Sequence, residues 1–536
     1  MSFYRHNIVT CYIRLTRSII LFRSKHNTDY LHETTGNQNL LGLSHEVLRR
    51  RASNLIRELW YTFNTQLSSL GNELLSSDID ASRRVSDRLF SLRNRLNEMS
   101  MYLEIDIEGI GRVDALENQR ITELDHASQV VQQRIQKIQN PSDCSKARVL
   151  LVSLNRPCAF GCNVHHLAYC LQLAYFTGRT LLFESTRTSY DSWWITNFLP
   201  ITKTCNDFVI DSNPNAETLT ASNAVTGPRV VLCPYIGALS GPLPWLPPAV
   251  PADISTNLSR LHGAPFVWFI GQLVSYLMRP APAFEQLLNA TLVSYGLSNS
   301  IHSPVVGLHI RRTDKINTEA AFHDVSEYVY HADRRFDIWD AQHHLMSRSQ
   351  DWMADLRAKV LHLPPLERRV FVATDEPSVF RDMRKKFPTY IILGDPNRAS
   401  SAGVHNRLSD DAITGIALDI MLLSKTDYLV CTFSSQVCRL AYELMQSRHA
   451  DLGDASALVQ SLDDSYYFGG QQSNPQEAII PDPSSGLRRG DLVHVLGNHW
   501  NGEAKIKHTQ NAIEALVPAF KLRPRILAVP VSENDV

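Results

Sequence analysis

From Val149 onward the chain repeatedly sets a short β-branched run in front of a helix-like stretch: Val149 to Val152, Thr180 to Phe183, Val305 to Ile310, Val370 to Ala373, Tyr390 to Leu393 and Tyr428 to Cys431. A strand followed by a helix cannot turn straight back on its predecessor. A series of such units therefore predicts parallel sheets of the doubly wound α/β class, two of them here, with a ligand cleft at the carboxyl ends of the strands. At 536 residues the chain is too long for one ordinary domain, so two large units with accessory segments are expected.

Two accessory segments read differently. Apolar residues at Leu48, Ala52, Leu55, Leu59, Phe63, Leu67, Leu70 and Leu74 alternate by three and four, as one stripe of a helix does. A second stripe runs through Val85, Leu89, Leu92, Leu96 and Met99. After a break at Gly109 and Gly111, a third passes Ile121, Leu124, Val131, Ile135 and Ile138 until Pro141 stops it. The pattern suits a self-associating stalk or an ordinary helical packing layer. At the other end, Leu487 to Val495, Gly497-Asn-His-Trp500 and Leu516 to Leu522 form short strands with turns, the pattern of a small Src-homology-3-like barrel. Between the two sheet regions, the Pro-rich run Gly241 to Pro251 is expected to be a surface linker or a polyproline segment docked on an aromatic groove.

With 53 Lys+Arg against 54 Asp+Glu, nothing in the composition resembles the basic footprint of a nucleic-acid or membrane-surface protein. Any anionic ligand must be met by a few local cations. Nine cysteines are unevenly spread, six of them between Cys144 and Cys233 and a close pair at Cys431 and Cys438. Zinc favours repeated C-x-x-C knuckles, whereas Cys158 and Cys162 enclose a single C-x3-C loop, so the set reads as disulfides ahead of a metal site or free thiols. Disulfides imply an oxidising compartment. The residues from Ile8 to Phe22 are apolar in patches, but Arg14 and Arg17 interrupt them, and the run of about 18 to 20 apolar residues that a spanning helix needs is missing.

The chemistry concentrates where the strand Val305 to Ile310 runs into Arg311, Arg312, Thr313, Asp314 and Lys315. A sheet of this class presents its ligand site at such an end. Arginine offers a planar fork that grips phosphate oxygens in pairs, so Arg311 and Arg312 are phosphate-binding candidates; an ion pair of Arg312 with Asp314 is the structural alternative. Glu319 follows Lys315 by four residues. A carboxylate beside an ammonium serves as a general base or as a plain salt bridge.

Several long strings now fall into place together: HIRRTDK…TEAAFH from His309 to His323, ATDEP from Ala373, LDI from Leu418, CTFSSQVCR from Cys431 and SLDDSYYFGG from Ser461. In this order they resemble the animal α-1,6-fucosyltransferases, and the resemblance extends from the helices near Trp60 through DCSKA at Asp143 and the GC…HH…YC run from Gly161 to GNHW. It implies a metal-independent Golgi enzyme with an N-terminal anchor and no cofactor beyond its GDP-fucose donor. The stem is residues 44–141, dimerising as a coiled coil, and the GT-B-like catalytic region is 142–480, with a Rossmann donor half at about 300–470. An SH3-like domain fills 481–536. L-fucose would pass with inversion to the 6-hydroxyl of the innermost GlcNAc of an N-glycan.

The resemblance also implies roles. Glu319 is the base, Lys315 its partner, and Arg311 holds the diphosphate with His309 beside it. The remaining donor-side residues are Arg312, Asp375, Glu376, Asp419, Ser435 and Tyr328, while Gln436, Asp463, Asp464 and His499 serve the acceptor. The expected disulfides are Cys144–Cys205, Cys158–Cys162 and Cys431–Cys438. This chain departs from the family at Glu376, where an aspartate is usual, at Phe160, which lacks a tyrosine hydroxyl, and at Val152, which removes the expected partner of Cys170; the extra Cys233 is available to replace it. A nodulation-type or protein-directed fucosyltransferase would share the strand-RRTD logic but not the stem and terminal barrel together. A non-enzymatic glycan binder would have no use for Arg311, Lys315 and Glu319.

Overall fold

The computed structural model describes residues 38–76, 80–113, 116–154, 159–184, 194, 197–205, 217–235, 243–297, 304–313, 321–348, 365–403, 406, 408–448, 454–469, 474–498 and 500–532. The chain divides into a unit Met1–Leu48, of which the opening of helix Gln38–Leu75 is described, and a unit Arg49–Val536 that holds everything below. Among the described residues no helix is long and apolar enough to cross a membrane, and the segment from Ile8 to Phe22 lies outside them.

Two parallel sheets form as the strand-helix alternation requires. In the first, β1 (Val149–Val152) lies between β2 (Thr180–Phe183) and β3 (Val230–Leu232). Helix Phe160–Thr177 crosses from β1 to β2 and is buried on nearly every face, ending at Gly178 in the left-handed conformation that glycine adopts without a steric penalty. Downstream, β4 (Ala249–Pro251) leads into helices Ala252–Leu261, Pro265–Leu277 and Pro282–Ser294. Helix Pro265–Leu277 approaches helix Gln436–Gln446 so closely that a Cβ on Gly271 would stand 2.2 Å from the Glu443 carbonyl oxygen.

The second sheet has the order β7-β6-β5-β8-β9, formed by β5 (Val305–Ile310), β6 (Arg369–Thr374), β7 (Ile391–Leu393), β8 (Tyr428–Cys431) and β9 (Val459–Ser461), all parallel. β5 is central and every one of its residues is buried, which is why it reads as an unbroken apolar run. The strand order reverses between β5 and β8, so the crevice of this sheet opens at the end of β5, where Arg311 begins.

The chain closes with a five-stranded antiparallel sheet, β10 (Asn474–Ala478), β11 (Leu492–Asn498), β12 (Glu503–His508), β13 (Glu514–Pro518) and β14 (Leu522–Pro524), around a core of Leu487, Val493, Val495, Ala504, Ile506 and Val517. A last strand, β15 (Leu527–Val529), leaves this sheet and pairs in parallel with β4. The Pro-rich run is therefore built into the fold, not a surface linker. Ala249 and Val250 are fully buried, and the Trp245 carbonyl accepts a hydrogen bond from Gln172.

The three helical stripes form helices Gln38–Leu75, Asp80–Val113 and Leu116–Gln139. The expected break at Gly109 and Gly111 does not occur, because the helix runs through both to Val113. The first two helices meet at Gly71, where a Cβ would come within 2.8 Å of the Phe90 ring. They also lean on the second parallel sheet. Trp60 is buried against Tyr330 and His331, Arg334 stacks on its ring, and the Tyr61 hydroxyl reaches Gln460 at 2.5 Å. The third helix buries Leu124, Val131 and Ile135 and passes Arg134 to the Tyr175 hydroxyl.

Candidate active site

The site grows from the end of β5. Register places His309 beside Ala373 and Ile310 beside Thr374 on β6, so the turn after β5 and the turn after β6 emerge together. Asp375 of the second turn gathers the first. Its carboxylate accepts from the Arg311 guanidinium, the Thr313 hydroxyl and, at 2.8 Å, the Arg312 backbone N–H. Three charge-assisted bonds on one buried carboxylate fix the Arg-Arg-Thr turn. Asp375 thus orients Arg311 and has no oxygen turned away from this turn. Glu376 is spent nearby, accepting from the Ser378 N–H at 3.2 Å at the start of helix Ser378–Lys386.

Arg312 points elsewhere. Its guanidinium lies 4.1 Å over the Phe322 ring and donates to the His323 carbonyl, while Lys386 binds Asp324 and the Glu327 carboxylate receives His323. The partner expected as its alternative, Asp314, lies outside the described residues, as do the candidate base Glu319 and Lys315. Arg312 ties the two described ends of that segment together. His309 is buried, and burial with the charge of Arg311 pushes its imidazole down to about 3, so the ring is neutral with Nδ1 lacking a hydrogen-bond partner among the described residues.

On the other side of β5, Ser435 caps helix Gln436–Gln446 at the exit of β8, with its N–H on the Thr432 carbonyl. Gln436 turns to His165, Oε1 lying 2.8 Å from Nδ1. Asp419, on helix Asp410–Ser424, is held at 2.8 Å by Arg398; burial raises its carboxyl and the arginine opposes the shift. Tyr328, on helix Val325–Arg348, is buried in the core cluster under β5. Asp463 is also committed, accepting from Ser461 at 2.9 Å and from the Asp464 N–H at 2.6 Å. Asp464 is the freer of the two, and burial, then the Asp463 charge, raise its carboxyl to about 6 against the pull of Arg439. His499 lies outside the described residues.

Among the described residues three disulfides have both partners placed: Cys144–Cys205, Cys431–Cys438 and Cys170–Cys233. The extra cysteine at 233 does replace the missing partner of Cys170. Cys162 is disulfide-bonded, and its expected partner Cys158 lies outside the described residues. Among the described residues, the group of side chains close enough to hold a metal ion is His166, Cys170 and Cys233, whose two sulfurs are joined. Sequence reading did not single out Trp500, whose indole N–H donates to the Asp463 carbonyl at 3.0 Å; its place in the GNHW string was the available signal.

A parallel sheet whose switch point carries a braced arginine belongs to the α/β class that binds phosphorylated ligands at strand ends. Residues 20–467 match the family model of the α-(1,6)-fucosyltransferase N- and catalytic domains. The chain is 37% identical over 492 residues to an α-(1,6)-fucosyltransferase of Drosophila melanogaster, covering 90% of this chain and 74% of that one. It is 33% identical over 503 residues to the α-(1,6)-fucosyltransferase of Caenorhabditis elegans, covering 91% and 80%. The chain belongs to the α-(1,6)-fucosyltransferase family and is a glycosyltransferase.

Among solved structures, a mutant of Arabidopsis thaliana FUT1 in complex with GDP is similar at a TM-score of 0.30, with 15% identity and coverage of 61% of this chain and 76% of that one. The NodZ α-1,6-fucosyltransferase soaked with GDP-fucose matches at a TM-score of 0.28 and 17% identity, over 56% and 93%.

Proposed function

We propose that the chain transfers L-fucose from GDP-β-L-fucose to the 6-hydroxyl of the innermost GlcNAc of N-glycans, with inversion. The observation that carries this reading is the braced Arg311 at the switch point of the second sheet, in a chain that belongs to this family. The acceptor oxygen attacks C1 of fucose as the bond from C1 to the β-phosphate oxygen breaks. Glu319 takes the hydroxyl proton, with Lys315 keeping it ionised beforehand. The leaving diphosphate gains charge, and Arg311, already oriented by Asp375, meets it without reorganisation. The reaction needs no divalent metal in this scheme. Of the chain's Asp-x-Asp triplet, Asp78-Ile-Asp80, the last residue opens the second stem helix, and the triplet is remote in sequence from Arg311.

The same reading includes the wider organisation. The two parallel sheets are the halves of a GT-B-like region, and the terminal antiparallel sheet is an SH3-like barrel. The disulfides suit the Golgi lumen. The helical stem dimerises: Leu59 is 56% and Met99 61% exposed, and Leu55, Leu70, Val85 and Leu92 on the same two helices are partly exposed. The test is GDP release with a biantennary glycopeptide ending in exposed GlcNAc, followed by linkage analysis of the product. Release without a new fucose on the innermost GlcNAc, or no release at all, refutes the reading.

A further inference from the structure

Trp500 stands in the turn between β11 and β12 with a φ of 51°, a left-handed backbone that bulky residues rarely adopt. Such a conformation persists where the surroundings over-determine it, and here they do. The indole N–H donates to the Asp463 carbonyl at 3.0 Å. The Tyr61 ring lies 5.2 Å away, and the Thr65 hydroxyl donates to the Trp500 carbonyl at 3.3 Å. At Gly502 the turn comes so near the stem helix that a Cβ would lie 2.0 Å from the Thr62 hydroxyl. Tyr61 in turn reaches Gln460 on β9, three residues before Asp463. Stem and terminal sheet thus grip the exit of β9 together.

That exit holds the two acidic residues assigned to the acceptor. The Asp463 side chain is bound to Ser461, the Asp464 N–H and the turn after β8, while its carbonyl is bound to Trp500. With both ends of residue 463 secured, the direction of the next side chain, Asp464, is set. We propose that Trp500 is a positioning residue for the glycan acceptor: its indole N–H locks the Asp463 peptide and so aims the Asp464 carboxylate at the incoming sugar. Carboxylates are suited to this because they accept paired hydrogen bonds from sugar hydroxyls. The terminal sheet influences acceptor affinity through this bond, with the stem supporting Trp500 through Tyr61 and Thr65. The inference rests on the proposed transfer to a glycan acceptor and on the acceptor role that the family resemblance implies for Asp464.

Trp500→Phe keeps an aromatic ring beside Tyr61 and removes the indole N–H together with part of the bicyclic ring. In the full-length enzyme, with a biantennary glycopeptide as acceptor, it is expected to raise the KM for acceptor five- to tenfold. The KM for GDP-fucose and the melting temperature should stay near wild type. Asp464→Asn is expected to raise the acceptor KM by at least as much, and Trp500→Phe added to it should contribute little more, since both act on one contact. If Trp500→Phe leaves the acceptor KM unchanged while Asp464→Asn raises it, the Trp500 proposal fails alone. An Asp464→Asn enzyme with a wild-type acceptor KM removes the acceptor role of Asp464 and the proposal with it. Parallel rises in both KM values with a falling melting temperature would make Trp500 a structural residue and also overturn it.

Discussion

The Arg311 guanidinium and the Asp375 carboxylate are paired across the ends of β5 and β6, with the Asp375 side chain 4% and the Arg311 side chain 18% exposed. The pair has a division of labour. Asp375 receives three donors from one turn, and Arg311 is thereby held at the switch point of the second sheet.

Arg311→Ala is expected to abolish GDP binding, and Arg311→Lys to restore little of it, because an ammonium keeps the charge but not the planar fork. Asp375→Asn should cost about 3 to 5 kcal/mol of stability, the usual consequence of stranding a buried charge, and weaken GDP binding as well. Isothermal titration with GDP and thermal melting check these together. An Asp375→Asn protein that binds GDP as tightly as wild type would show that Asp375 does not orient Arg311.

Glu319→Gln keeps shape and hydrogen bonding while removing basicity. It should leave GDP-fucose affinity nearly unchanged and lower kcat by a factor on the order of 100 to 10,000. Turnover within about threefold of wild type in a folded, GDP-binding variant would move the base elsewhere, with Asp464 the first residue to examine.

Activity is expected to survive chelation, since Arg311 carries the electrostatic work assigned elsewhere to a metal ion. Assay in excess EDTA, with and without added Mn2+, decides the matter. Complete loss in EDTA and recovery on adding the ion would contradict the mechanism.

The raised carboxyl of Asp464 has a stability consequence with a definite sign. Its folded value of about 6 exceeds the roughly 3.9 of an unfolded aspartate, so the folded state binds the proton more tightly. The stability this contributes is present in full below about pH 4 and is lost as pH rises through 6. Asp464→Asn should therefore melt higher than wild type at pH 7.5, with the advantage shrinking towards pH 4. A pH-independent difference would rule out the titration.

Peptide mapping without reduction should recover Cys144–Cys205, Cys170–Cys233 and Cys431–Cys438 as linked peptides. In the chain-entropy picture, opening the Cys144–Cys205 bridge, with a separation of 61 residues, costs about 4 kcal/mol. Opening Cys431–Cys438, separated by 7, costs about 2 to 3 kcal/mol. Alkylation of Cys170 or Cys233 as a free thiol in the native protein would contradict the replacement pairing.

Much of this molecule was legible in one dimension. The parallel sheets follow from strand-helix alternation, the buried β5 from its unbroken apolar run, and the stem from its three-and-four spacing, because each reflects local periodicity that a chain cannot hide. The Arg-Arg-Thr turn was visible for the same reason, as charge placed directly after a core strand. What tertiary structure alone decided is which partner each side chain meets. Asp375 lies 64 residues beyond Arg311, yet register between β5 and β6 brings them together; Tyr328, four residues before Ala332 on its helix, packs into the core under β5. Gln436 meets His165 across 271 residues, and β15 finds the Pro-rich run. Trp500 reaches Asp463 from another sheet. Such contacts depend on how separate elements pack. Packing is a property of whole surfaces closing on each other, and no local pattern records it.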